Sequence, residues 1–136
     1  MKSIRVTTAT PGWSAGSPIY GKDSIYEGKE LVQLKVLSDR RREGGGFAYL
    51  LRTVPPKGKL IKIVAVARSE EHVFVLEGGS CNKAGKQLGF PGNYTLNPKG
   101  QPHSAFIGIE SVSLVVYAGE PDEIRLIGVL DREPTE

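Results

Sequence analysis

Residues 92–103, Gly92-Asn93-Tyr94-Thr95-Leu96-Asn97-Pro98-Lys99-Gly100-Gln101-Pro102-His103, hold one short strand between two stops. Pro91-Gly92 makes a turn, 94–97 is extended, and Pro98-Lys99-Gly100 ends it. Proline has no N–H to give to a ladder, and glycine accepts the positive φ of a tight turn. The same pattern repeats in both directions. Upstream, Val32, Leu34 and Val36 alternate with Gln33 and Lys35, which is the period of a half-buried strand. Leu31 and Leu34 also fit a helical face over 29–37, but the β-branched content and the lack of caps favour the strand. Gly44-Gly45-Gly46 breaks the chain before a strand over 47–54, which Pro55-Pro56-Lys57-Gly58 closes. Residues 60–67 form a third strand with Lys62 as its lone polar residue, so both faces are expected to be covered. Further strands are read over 72–76, 105–109, 112–118 and 124–130, and a hairpin over 80–88 around Asn82-Lys83-Ala84-Gly85.

Nine or more short strands, with turn signals about every ten residues, imply an all-β sandwich or barrel. The bulk figures agree. The chain has 136 residues, 39% hydrophobic and 24% charged, enough for one core without disulfide staples. Seventeen glycines and nine prolines without a period exclude collagen and fit many turns. The single cysteine, Cys81, excludes an intrachain disulfide. With no base or helix start beside it, Cys81 is read as a small buried residue rather than a nucleophile.

Charge says little about partners. Eighteen basic and fifteen acidic residues give +3. The densest basic run, Arg40-Arg41-Arg42, is flanked by Asp39 and Glu43 and is read as a solvated turn, so no nucleic-acid partner is expected. Residues 1–10 lack the apolar run of a signal peptide, and no stretch approaches the roughly 20 apolar residues of a membrane span. A soluble, cytoplasmic protein with no membrane partner is the expectation. Residues 1–29, rich in Thr, Gly, Ser and Pro and carrying the only tryptophan, Trp13, are read as an extended N-terminal arm, with the β-barrel domain over 30–136.

One set of spacings is more specific. Gly92, five residues, Pro98, one residue, Gly100, two residues, His103 resembles the second motif of the cupin superfamily. Gly58, five residues, Val64, one, Val66, four, Glu71, six, Gly78 matches the spacing of the first, with valines where that family has two histidines. Ile107 stands where the family pattern has asparagine. The resemblance covers about residues 46–118. It implies a single-domain, RmlC-like jelly-roll barrel whose inner face opens into a pocket. The metal of that family is held by three histidines and one glutamate.

Carried over residue by residue, the resemblance leaves only Glu71 and His103 as candidate ligands, so no metal and no other cofactor is expected. His72 follows Glu71 and points to the opposite face of its strand. Glu71 and His103 are instead candidate catalytic residues, a carboxylate beside an imidazole being suited to proton transfer. Val64 and Val66 are expected on an apolar pocket floor, with Val73 and Val75 inward alongside Glu71. Tyr94, Leu96 and Tyr49 are candidate wall residues, and Arg52 a candidate fork for a ligand carboxylate. The partner expected is a small apolar or aromatic ligand. Three functional readings follow. One is a ligand-binding cupin without the three-histidine metal centre, and one is a metal-independent, isomerase-like enzyme using His103 and Glu71. The third is a metal-dependent dioxygenase with other ligands. A homodimer is expected, because open sheet edges invite pairing and cupins commonly dimerise through edges and arms.

Overall fold

The computed structural model describes residues 2–9 and 12–134. Residues 1, 10 and 11 of the expected arm, and 135 and 136, lie outside the described residues. Strands take up 49% of the chain and helical turns 8%. In chain order the strands are β1 (Ser14–Ala15), β2 (Ile25–Tyr26), β3 (Lys29–Glu30), β4 (Val32–Asp39), β5 (Phe47–Thr53), β6 (Lys59–Val66), β7 (Glu71–Glu77), β8 (Tyr94–Asn97), β9 (Pro102–Ile107), β10 (Ser111–Tyr117) and β11 (Glu123–Asp131). One helical turn, α1 (Ser17–Tyr20), precedes β2.

Two antiparallel sheets carry the fold. One has the order β1-β4-β5-β10-β7-β8 and the other β11-β6-β9, with β2-β3 a separate small ribbon. Among the described residues no ladder joins the two large sheets, and they face each other as the two layers of a jelly roll. The core lies between them. Val32, Tyr49 and Val115 come from the larger sheet and Ile61, Ile107 and Ile127 from the smaller. Burying a side chain of this size contributes roughly 1.5–3 kcal/mol.

The alternation that identified the strands comes from this packing. In β4, Val32 and Leu34 are buried and Val36 is exposed, and the strand bulges just after it, between Val36 and Ser38. In β6, Leu60 and Ile61 are both fully buried, which accounts for its nearly unbroken apolar run. The expected hairpin over 80–88 is present as a short one, in which the Asn82 N–H donates to the Lys86 carbonyl and the Leu88 N–H to the Ser80 carbonyl, both at 2.9 Å. Cys81 bridges Gln87 and Phe106, and Asn82 Oδ1 accepts the N–H groups of Ala84 and Lys86. That side chain satisfies the N–H groups of the turn between the two short arms. The Arg run is a 3-10 turn, with Arg41 paired to Asp39 and Glu120.

The N-terminal segment covers its own chain. β1 pairs with β4, Tyr20 is 7% exposed in the core, and Trp13 lies under the Lys35 ammonium and the Arg52 guanidinium. Gly16 makes the close approach, donating to the Val32 carbonyl at 2.8 Å. A Cβ at that position would collide with the same carbonyl.

Candidate functional site

Strand parity decides what enters the space between the sheets. β7 starts at Glu71, whose direct partners are Asn97 on β8 and Tyr117 on β10. Residues two apart share a face, so Val73 and Val75 line the same cavity as Glu71. On β9, His103 pairs with Ala65 of β6. Cross-strand partners share a face, so Ala65 and Ile63 face the cavity with His103.

The cavity is about 270 Å³, with a wall that is mainly hydrocarbon. Its polar end is compact. His103 Nε2 lies 2.7 Å from Asp122 Oδ2 and 3.6 Å from Glu71 Oε1. Asn97 Nδ2 donates to Glu71 Oε1 at 2.8 Å. Glu71 and Asp122 are buried, whereas the imidazole is half-buried. The His103–Asp122 contact has hydrogen-bond length but lies off the line a hydrogen bond needs. His103 Nε2 has no aligned protein partner, and the other carboxylate oxygen, Asp122 Oδ1, has no hydrogen-bond partner either.

Electrostatics follows from the burial. Desolvation, and then the Asp122 charge, push the Glu71 carboxyl above its ordinary value, against the pull of Asn97 and His103. The Asp122 carboxylate against the ring holds the His103 imidazole above its ordinary value, and Glu71 adds to this, while burial opposes it. Tyr20, which lines the cavity, and Tyr49 and Tyr117 behind it join hydroxyls, at 2.9 Å and 3.4 Å. Burial raises all three phenols, so they stay neutral donors and acceptors.

Several expected pocket residues lie elsewhere. Val64 and Val66 are on the opposite face of β6 from Ala65, because the motif spacing placed the inward pair one residue too far along. Tyr94 and Leu96 are 47% and 45% exposed, and Thr95 and Asn97 of β8 face the cavity instead. Their apolar character belongs to an outer patch, where Tyr94 packs on Phe74 and its hydroxyl meets His72 Nδ1. His72 thus points away from the site, and its other nitrogen contacts Glu70. Tyr49 is fully buried behind the cavity rather than on its wall. Arg52 is on the outer face, bonded to Glu110 and Gln33, so it offers no fork to a ligand. Cys81 is buried, and burial pushes its thiol up.

Asp122 is the residue that sequence reasoning missed. It sits in the turn before β11, and turn acids are ordinarily solvated. No periodicity marks a turn residue as buried, and only the packing of the β10–β11 connection under His103 turns it inward.

Solved structures share this architecture. An acetylacetone dioxygenase from Acinetobacter johnsonii matches with a TM-score of 0.64 at 11% identity, over 91% of this chain and 78% of that chain. A protein of unknown function with a cupin-like fold from Ralstonia eutropha matches with 0.64 at 16% identity, over 93% and 78%. The chain has the cupin fold. The polyketide cyclase RemF from Streptomyces resistomycificus matches with 0.55 at 20% identity, over 93% and 84%. No family model matches the chain, and neither does any curated protein. At these identities the likeness is one of fold.

The cupin fold raises the question of a metal, and the lining residues do not fit the three-histidine, one-glutamate set. Ile63 and Ala65 occupy the inward positions of β6 and have no lone pair. The donor atoms that converge are those of Glu71, His103 and Asp122, within 4.8 Å of one another. A cation here would be held by two carboxylates and one imidazole. The expected two-donor set is thereby corrected to three.

Proposed function

We propose that this cupin-fold chain binds a small, mainly apolar molecule and moves protons on it with His103 and Glu71, without a metal. The observation that carries this reading is the His103 imidazole between two buried carboxylates, at 2.7 and 3.6 Å, at one end of a hydrocarbon-walled cavity. Proton transfer is most efficient when donor and acceptor affinities lie near the working pH. Both groups hold a proton more tightly than their ordinary values, Glu71 through burial and His103 through the Asp122 carboxylate. His103, protonated against Asp122, gives a proton to a ligand oxygen. Glu71 takes one from a neighbouring carbon, and the reverse pair of steps restores both. That is the chemistry of a tautomerase or isomerase.

The experiment is solvent exchange in D2O with small aromatic ketones. Wild type should introduce deuterium α to the carbonyl, while His103→Gln and Glu71→Gln should not. Binding without exchange would favour the non-catalytic reading, a ligand-binding module.

A homodimer is part of the same proposal. β8 is the open edge of the larger sheet, since the N-terminal segment occupies the other edge. Phe74, Leu76, Tyr94 and Leu96 form an exposed apolar face beside it. Among the described residues, no helix is long and apolar enough to cross a membrane.

A further inference from the structure

We infer that the cavity selects against anions: it takes an uncharged molecule with a hydrocarbon body and a hydroxyl, carbonyl or amide as its polar group, and Asp122 sets that preference. If the cavity binds a small molecule, as proposed above, its wall decides which kind. Among the described residues, the lining includes neither lysine nor arginine. The basic side chains of the surrounding strands and turns lie outside this lining: Arg68 borders an outer groove on the far side of Asp122, and others are engaged on outer surfaces. Arg52 meets Glu110, Arg41 meets Asp39 and Glu120, Arg125 meets Glu123, and Lys62 lies over Phe106.

Inside, the formal charges are Glu71 and Asp122 against one imidazole. The imidazolium is already compensated by Asp122 at 2.7 Å. A ligand carboxylate would therefore be a third acid beside two buried ones, with no lysine or arginine in the lining to answer it. Like charges brought together away from water repel strongly. An ammonium would face carboxylates, but it would lose its hydration against a hydrocarbon wall, and the nearer carboxylate is already paired. An uncharged polar group avoids both penalties. Thr95, Asn97, Ser104 and Ser113 supply short polar contacts around it.

Asp122 is decisive because of its burial. Its side chain is 5% exposed and one carboxylate oxygen has no protein partner. Without it, the cavity would hold one acid and one imidazole and would tolerate an anion.

Four probes of one shape test this: toluene, benzyl alcohol, benzylamine and benzoate. Their dissociation constants are measured by ligand-observed NMR at pH 7.5 and fixed ionic strength, with shifts of the His103 ring reporting the site. Benzyl alcohol should bind at least about tenfold more tightly than benzoate, since like-charge juxtaposition is costly. In Asp122→Asn, checked for folding by circular dichroism, that ratio should shrink to about threefold or less on the same physical grounds. The wild-type ordering stands without the variant if Asp122→Asn does not fold. Benzoate binding as tightly as benzyl alcohol would overturn the inference while leaving the binding reading intact. Benzylamine binding most tightly would overturn it as well, by showing uncompensated carboxylates. Toluene matching benzyl alcohol would remove the polar-group requirement and overturn that part. Binding by none of the four would end the small-molecule reading itself, and the anion preference with it.

Discussion

His103 Nε2 and Asp122 Oδ2 lie 2.7 Å apart, although His103 is on β9 and Asp122 is in the turn before β11. Both β9 and β11 pair with β6, one on each side. β6 therefore fixes the width between them, and the turn acid reaches across it to the imidazole. With Glu71 on the facing sheet, the pair becomes three ionisable groups around one end of a cavity.

The pH dependence of stability follows with a definite sign. His103 holds its proton more tightly folded than unfolded. Its contribution is fully present below the unfolded value, about 6.5, and is lost as the pH rises through the folded one. Glu71 is also raised, so its contribution is present below its unfolded value, about 4.3, and fades as the pH rises. The melting temperature of wild type relative to a His103→Gln, Glu71→Gln double variant should fall between pH 5 and pH 9. A difference that grows with pH would contradict the assignment.

The joined tyrosine hydroxyls give a stability prediction. Tyr49 is fully buried and its hydroxyl meets both Tyr20 and Tyr117. Tyr49→Phe keeps the ring and leaves two buried hydroxyls short of a partner, which should cost about 1–3 kcal/mol. Urea unfolding measures it, and a loss below about 0.5 kcal/mol, the scatter of ordinary surface changes, would show that the hydroxyls find other partners.

Elemental analysis addresses the metal. No stoichiometric iron, zinc or nickel is expected in the purified protein, because Ile63 and Ala65 take the inward positions of β6. About one ion per chain, lost in Asp122→Ala and in His103→Ala, would assign Glu71, His103 and Asp122 as ligands and displace the metal-free account.

Assembly is tested by light scattering at tens of micromolar protein. A dimer is expected, and Leu96→Glu, which places a charge on the exposed face beside the β8 edge, should shift it to monomer. A wild-type monomer would rule this surface out.

The strands were legible because burial on one or two faces leaves a period in the sequence. β8 was read at its observed bounds, since Gly92 and Pro98 punctuate it. β9 starts at Pro102, three residues before the strand read over 105–109, since proline is tolerated as the first residue of a strand. Glu71 and His103 emerged from motif spacing. The pocket wall did not, because a one-residue error of parity exchanges faces: Val64 for Ala65, Tyr94 for Thr95. An exposed apolar face on β8 made the wrong parity look right. Asp122 could not be read from pattern at all, since its burial depends on how a turn packs under a distant strand.

Nitrogen-15 NMR of the imidazole rings across pH 4–10 tests the central claim most directly, with His103 assigned by its loss in His103→Gln. The account predicts a His103 midpoint above 6.5, the ordinary value, falling in Asp122→Asn as the carboxylate that holds its proton is removed. A midpoint at or below 6.5, unchanged in Asp122→Asn, would contradict a proton-holding site built from His103, Asp122 and Glu71.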